Sequence, residues 1–332
     1  MQLGGGGRTL DYQPFASYIW MPLVPMGKPL IHDHDGHVDD LIACVMLWLA
    51  PEIDLQAVGI SDGHCIIEQA YECLIKIATF LDLEGVEIGL GEELLSNPFH
   101  LSWRKESKVI NTLPLFSEND LKKPYSQGRA RHNTVMYADC LSHSKEPITF
   151  VTTGPLTSVA DTLRERPHLT DNIAEIYIAG GAINVVGDVH EKGYEGAEWN
   201  VFADPRAFKT VLDSRIAIKL VPRDVSEQML VTKTMRQKFE RQAKDYRVSL
   251  LASKLLALCS GFDYYLSDVL TALIAIEPSL ATFKKMRIDV ALSGKSTGKT
   301  AKSFFGGREI EVATAIDMKK FEDMFFELLR AK

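Results

Sequence analysis

Between His32 and Asp40 the chain sets four aspartates and three histidines in nine residues: His32-Asp33-His34-Asp35-Gly36-His37-Val38-Asp39-Asp40. Like charges this dense repel one another unless something positive sits among them. A divalent cation held by oxygen ligands is the simplest such partner. Capping a following helix would use one carboxylate, Asp39 or Asp40, and would leave the others without a role. The apolar run Pro29-Leu30-Ile31 precedes the cluster and reads as a buried strand, and an apolar segment of helix length, residues 41–50, follows it. The pattern is strand, polar turn, helix, with the carboxylates at the turn.

The elements that would position this turn repeat the same punctuation. Residues 55–60 read as a second strand ending at Ser61-Asp62-Gly63-His64, and residues 65–83 as a helix with Ile67, Ala70, Leu74, Ile77 and Leu81 on one face. Residues 86–90 read as a third strand, followed by a polar loop that carries Asn97-Pro98-Phe99 and Trp103. Residues 147–153, 173–179 and 216–221 supply three more strands. Strands alternating with helices imply a parallel sheet covered on both faces. Helices are expected over 239–261, 268–276 and 321–329, with late edge strands over 288–292 and 310–315. The expected fold is thus α/β: a single large domain, residues 28–332, with a mostly parallel Rossmann-like central sheet, helices on both faces, and added helices and edge strands in the C-terminal part. Residues 1–27, with four consecutive glycines, read as an N-terminal extension. In such a sheet ligands bind beyond the carboxyl ends of the strands. The polar residues collect there: Asp33, Asp35 and Asp40 after the first strand, His64 after the second, Trp103 after the third and Thr153 after the fourth.

Composition narrows the partners. The 332 residues are 46% hydrophobic and 24% charged, with a net charge of −7, which argues against nucleic acid or an anionic membrane surface. Residues 15–26 are apolar but interrupted by Pro22 and Pro25, so neither a signal peptide nor a membrane span is expected. The five cysteines (Cys44, Cys65, Cys73, Cys140, Cys259) form no C-x-x-C pair, and a reducing, cytoplasmic setting fits them.

From Asp33 to Asp40 the chain resembles the inosine–uridine nucleoside hydrolase family, which opens with an aspartate-rich turn of the form D-x-D-x-x-x-D-D. The resemblance runs on through Asn97-Pro98-Phe99, Trp103, Thr152-Thr153-Gly154-Pro155-Leu156, Gly180-Gly181-Ala182, Ala197-Glu198-Trp199-Asn200, Ala203-Asp204-Pro205 and Tyr264-Tyr265 ahead of Asp268, in one order over residues 28–330. The Asp-His-Asp-Gly turn and the Asn-Pro-Phe…Trp element look most like the purine-preferring branch. The resemblance implies that water cleaves the N-glycosidic bond of a ribonucleoside, with Ca2+ bound by Asp35, Asp40, the Thr153 carbonyl and Asp268. The ion would hold the ribose 2′- and 3′-hydroxyls and the attacking water, and Asp35 would take that water's proton as general base. Asp39, Glu198 and Asn200 match ribose-binding positions, and Trp103 matches a tryptophan that stacks on the purine. Family members are commonly dimers or tetramers, so a homodimer or other homo-oligomer is expected.

Four positions depart from the purine pattern. His37 replaces an asparagine, His64 an asparagine or aspartate, Asp188 an asparagine that helps bind ribose, and Ser267 a second stacking tryptophan. A serine hydroxyl is a poor acid at neutral pH, so His64 is the substitute candidate for protonating the leaving base. Competing readings follow from the same residues. Asp33-His34-Asp35-Gly36 also looks like the first motif of haloacid-dehalogenase-type phosphatases, with Asp33 as nucleophile, Asp35 as acid/base and magnesium as the ion. His32, His34 and His37 invite a zinc-hydrolase reading. Residues 294–300 hint at a phosphate-binding loop of the wrong spacing. A nucleoside- or ribose-binding protein that kept the metal site and lost turnover is the non-enzymatic alternative.

Overall fold

Strand β1, Lys28–His34, lies inside a nine-stranded sheet. The others are β2 (Ile53–Ile60), β3 (Glu87–Leu90), β4 (Ile148–Thr152), β5 (Ile173–Ala179), β6 (Ala217–Val221), β7 (Ala281–Val290), β8 (Thr300–Lys302) and β9 (Arg308–Ile316). The spatial order is β3-β2-β1-β4-β5-β6-β9-β7-β8. β3 through β6, and β9 against β6, pair in parallel, whereas β7 pairs antiparallel with both β9 and β8. The chain order reverses between β1 and β4, and such a switch point opens a crevice at the carboxyl ends of its strands. The computed structural model describes residues 27–117, 125, 129–194 and 196–331. The extension expected over 1–27 lies outside the described residues except for Gly27.

Two buried helices aim their N-termini at that crevice. Val38–Leu49 and Ser267–Ile276 are apolar along nearly their whole length and pack together in the larger core cluster. Burying a leucine or isoleucine side chain stabilises by about 1.5–3 kcal/mol, and Leu41, Ile42, Leu47, Leu270, Leu273 and Ile274 are all buried here. The smaller core cluster lies under the Ile31, Phe150 and Ile176 side of the sheet.

Several boundaries differ from expectation. β1 runs on through His34, because β2 and β4 flank it and pair Asp33 with Gly59 and Thr152. His32, Asp33 and His34 are therefore strand residues, and the turn proper is Asp35-Gly36-His37. The helix expected over 239–261 is two, Lys233–Gln242 and Arg247–Leu258, since residues 240–245 offer almost no apolar face to bury. β9 is not an edge strand: its Ile310 and Val312 are buried in the smaller core, and it fills the place between β6 and β7. Residues 294–296 form a short 3-10 turn and Thr300 starts β8, so no helix follows the apparent phosphate loop.

Candidate active site

Asp35 is the first residue past β1 and sits where only glycines leave room. A Cβ on Gly63 would lie 2.2 Å from Asp35 Oδ2, and Gly36 turns the chain with φ +85°. The His64 N–H donates to Asp35 Oδ2 at 2.8 Å, tying the end of β2 to the turn. Asp40, in the first turn of its helix, accepts the His37 N–H on Oδ2 at 2.9 Å and the Thr153 hydroxyl on Oδ1 at 2.5 Å. Asp39 accepts the Tyr264 hydroxyl at 2.5 Å and the Asp268 N–H at 3.1 Å. That last bond ties the N-terminus of one buried helix to a carboxylate on the other. Both termini present the positive end of a helix dipole to the same acidic floor.

The electrostatics of this floor are those of carboxylates short of a counter-charge. Burial, then Asp35 and Asp39, push Asp40 well above the usual carboxylate range. Burial, then Asp39, Asp40 and Asp35, do the same to Asp268. Burial works to raise Asp39 too, but its side-chain interactions with His37, Tyr264 and Asp268 outweigh it and hold Asp39 low. Asp35, Asp40, Asp268 and the Thr153 carbonyl are hard oxygen donors that repel one another, the donor set that a calcium-type cation takes.

From Thr153 a polar wall leads away from the floor. Asn200 Nδ2 donates to the Thr153 carbonyl at 2.9 Å and the Asn200 N–H to Glu198 Oε1 at 2.9 Å. Glu198 also accepts the Gly181 and Val201 N–H groups, at 2.8 and 3.2 Å, so backbone takes up much of the carboxylate expected to bind ribose. Burial, then Asp188, raise Glu198 to about 7. Asp188 accepts the Trp199 N–H at 3.2 Å and pairs with Arg223 at 2.7 Å.

The opposite side is aromatic. His37 and His64 stack with ring centroids 3.8 Å apart, and His64 is near-parallel to Trp103 at 5.9 Å. Trp103, expected in a loop, lies on the short helix Leu101–Arg104 and meets Trp199 edge-on at 5.2 Å. Arg104 anchors that helix through Asp62 at 2.5 Å, and its carbonyl accepts the Ile66 N–H at 3.2 Å. Asn97 serves the loop itself, bonding the Ala203 and Phe202 carbonyls at 3.0 and 2.7 Å.

One cavity of about 530 Å³ gathers the residues expected to hold nucleoside and calcium: Asp35, His37, Asp39, Asp40, His64, Trp103, Thr153, Asp188, Glu198, Asn200, Ser267 and Asp268. Asp33 is outside it. It is wholly buried, bonded by Tyr137 at 2.5 Å and Ser61 at 2.7 Å, and raised to about 7, chiefly by burial. A nucleophile needs access to substrate, so the phosphatase reading of Asp33 fails. The zinc reading fails differently. His32 and His34 do share a face of β1, but His37 turns into the cavity. Cys44 takes the third place, with one ligand atom from each of the three within 4.8 Å of the others. The Gly36 N–H donates to His34 Nδ1 at 3.0 Å, which leaves the ring proton on Nε2, where a metal would need a lone pair. Sequence reasoning missed Arg223, whose only signal is its position just past β6. The sequence offers Tyr264 only as part of the family pattern, with no role of its own. The structure places Tyr264 in the cavity lining, its hydroxyl bonded to His37 Nδ1 at 2.7 Å as well as to Asp39.

Fold and cavity define an α/β protein with an acidic, aromatic-walled small-molecule site at the sheet's switch point. The model of the inosine-uridine preferring nucleoside hydrolase family matches residues 30–323, and the chain belongs to that family. It is a hydrolase of ribonucleosides, acting on the N-glycosidic bond. It is 25% identical over 328 residues to the pyrimidine-specific ribonucleoside hydrolase RihA of Salmonella newport (strain SL254), covering 92% of this chain and 99% of that protein. It is 24% identical over 307 residues to the inosine-uridine preferring nucleoside hydrolase of Leishmania major, covering 89% and 95%. The crystal structure of the Bacillus anthracis inosine-uridine preferring nucleoside hydrolase superposes with a TM-score of 0.86 at 28% identity, covering 91% of this chain and 99% of that one. Among the described residues no helix is long and apolar enough to cross a membrane.

Proposed function

We propose that the protein is a calcium-dependent hydrolase of purine ribonucleosides that releases free base and ribose. The observation that carries this reading is the convergence of Asp35, Asp40, Asp268 and the Thr153 carbonyl on one cavity, with Asp40 and Asp268 pushed well above the ordinary carboxylate range by burial and by the neighbouring carboxylates. A calcium ion held there by these four residues would offset their repulsion and lend Lewis acidity to the oxygens of sugar and water. Asp35, fixed by the His64 N–H, takes the proton of the attacking water. Asp39, Glu198, Asn200 and Asp188 orient the ribose, and the surrounding carboxylates favour the positive charge that develops on the sugar.

The purine preference is supported by the aromatic side, where Trp103, His64 and His37 offer near-parallel rings to a flat base. His64 is the proposed proton donor to the leaving base, while Ser267, at the same cavity, has no acid strength for that work. The five free cysteines support a cytoplasmic setting, and the family resemblance supports a homodimer or other homo-oligomer.

The test is a panel of purine and pyrimidine nucleosides scored for base release with calcium and with chelator. Chelation should abolish release, and Asp35→Asn should lower it by about 10²- to 10⁴-fold, the usual worth of a general base. Release unaffected by that substitution overturns the mechanism. Tight binding of inosine with no release would instead identify a binding homologue, the reading that Ser267 favours.

A further inference from the structure

The polar wall of the cavity ends in an ion pair. From the floor outward it runs Thr153, Asn200, Glu198, Asp188, Arg223, each held to the next by the bonds described above or, between Glu198 and Asp188, through the Trp199 N–H. Arg223 cannot swing freely. Its Nε donates to Glu227 at 2.6 Å, its Nη1 to Asp188 Oδ2 at 2.7 Å, and its backbone N–H to the Gly181 carbonyl at 2.8 Å. A planar guanidinium held at two points presents its remaining N–H groups in a fixed direction. Asp188 alone would set a second negative charge beside buried Glu198. Arg223 offsets it, and the paired carboxylate still has acceptor sites beyond those taken by the Trp199 N–H and Arg223.

We propose that Arg223 and Asp188 act as one recognition unit for the sugar hydroxyl farthest from the acidic floor, with Arg223 the specificity-determining residue. This rests on the nucleoside-hydrolase reading of the cavity. A ribonucleoside has three hydroxyls. Its vicinal pair suits a chelating cation at Asp35, Asp40 and Asp268, which leaves the 5′-hydroxyl for the far end of the wall. A hydroxyl both donates and accepts. Asp188 can only accept and Arg223 can only donate, so the pair together satisfies both halves of the group, and both bonds are charge-assisted. A 5′-phosphate has only acceptors to offer. It would meet the Asp188 carboxylate, whose repulsion works against the pull of Arg223, so the pair favours the hydroxyl. The pair therefore selects a free 5′-hydroxyl over a 5′-phosphate or a missing 5′ oxygen.

The test measures calorimetric binding and base release for inosine and 5′-deoxyinosine, on the calcium-loaded wild type and on Arg223→Met, Arg223→Lys, Asp188→Asn and Arg223→Met/Asp188→Asn. The wild type should prefer inosine by about 10- to 100-fold, the worth of a hydrogen bond to a charged group. Arg223→Met should lose that preference through KM more than kcat. Arg223→Lys, which keeps the charge and lacks the fork, should fall between and serves if the methionine variant fails to fold. The double variant should regain at least about tenfold over Arg223→Met, because asparagine carries donor and acceptor in one side chain and needs no cation beside it. Equal affinity of the wild type for the two nucleosides overturns the proposal, as does a double variant no better than Arg223→Met. Inosine bound without base release overturns hydrolysis and leaves the 5′ discrimination readable in the binding data. No binding of inosine at all overturns both.

Discussion

The acidic floor and the aromatic side of the cavity are built in opposite ways. The floor stands on the ends of β1 and β4 and on the first turns of two buried helices. Its carboxylates are buried and bonded across large sequence separations, as in Asp39 to Tyr264 and Asp268. The aromatic side hangs on loops and a four-residue helix, and Trp103 packs against a small cluster of its own around Phe99, Trp199 and Phe202. Moving a floor residue means moving the sheet or a core helix. Moving Trp103 means moving a few local contacts, chiefly Arg104 on Asp62 and Glu93 and its carbonyl on the Ile66 N–H. On the proposed reading, the chemistry of the glycosidic bond would be fixed by the fold, and the choice of base left to a segment that can change without disturbing it.

The sharpest way to break this contrast is Tyr264→Phe. The phenol oxygen bonds Asp39 Oδ1, the Asp39 N–H and His37 Nδ1, all buried. Losing it leaves several buried polar groups unsatisfied at about 1–3 kcal/mol each, so a loss near 3 kcal/mol is expected. Urea unfolding of variant and wild type, both without calcium, measures it. A loss under about 0.5 kcal/mol, the size of an ordinary surface substitution, would mean that Tyr264 does not hold the floor.

The floor was also the more legible of the two in the sequence. A dense run of aspartates between a strand and a helix signals a site by charge alone, and the strand-end rule then collects Thr153 and His64. Asp33 was legible only as a charge. That it turns inward to Tyr137 depends on where β1 ends, and one residue of register separates core from cavity. β9 was misread as an edge because the local pattern does not say which strands will flank it. Arg223 was invisible for a related reason. Its partner at the cavity, Asp188, is 35 residues away, and its local partner, Glu227, is one a solvated arginine would also have.

A smaller effect tests the aromatic side alone. Trp103→Ala removes a stacking face worth about 1–3 kcal/mol to a base, so KM for purine nucleosides should rise by about 5- to 150-fold. Calcium affinity, set by the floor, should stay within about twofold, a change of about 0.4 kcal/mol. Steady-state kinetics beside a calcium titration read both. A matching drop in calcium affinity would show the two regions to be mechanically joined and the contrast to be wrong.

The smallest expected effect lies between the two, at Glu198. Burial and Asp188 raise its carboxyl to about 7 from the ordinary glutamate value of 4.5. Between those pH values the folded chain keeps a proton that the unfolded chain has lost. The group's contribution to stability is thus fully present below about 4.5 and is lost as pH rises through about 7, by at most about 1.4 kcal/mol per pH unit. Glu198→Gln removes that titration. It also swaps one acceptor oxygen for a donor facing backbone N–H groups, so the variant starts less stable at pH 4.5. The deficit should then shrink as pH climbs toward 7, because only the wild type is losing stability at this position. Urea unfolding of both proteins at pH 5, 6 and 7 gives the gap directly. A gap that stays constant would show Glu198 ionised throughout, with its three N–H donors outweighing burial, and would make it part of the charged floor instead of a neutral link in the wall.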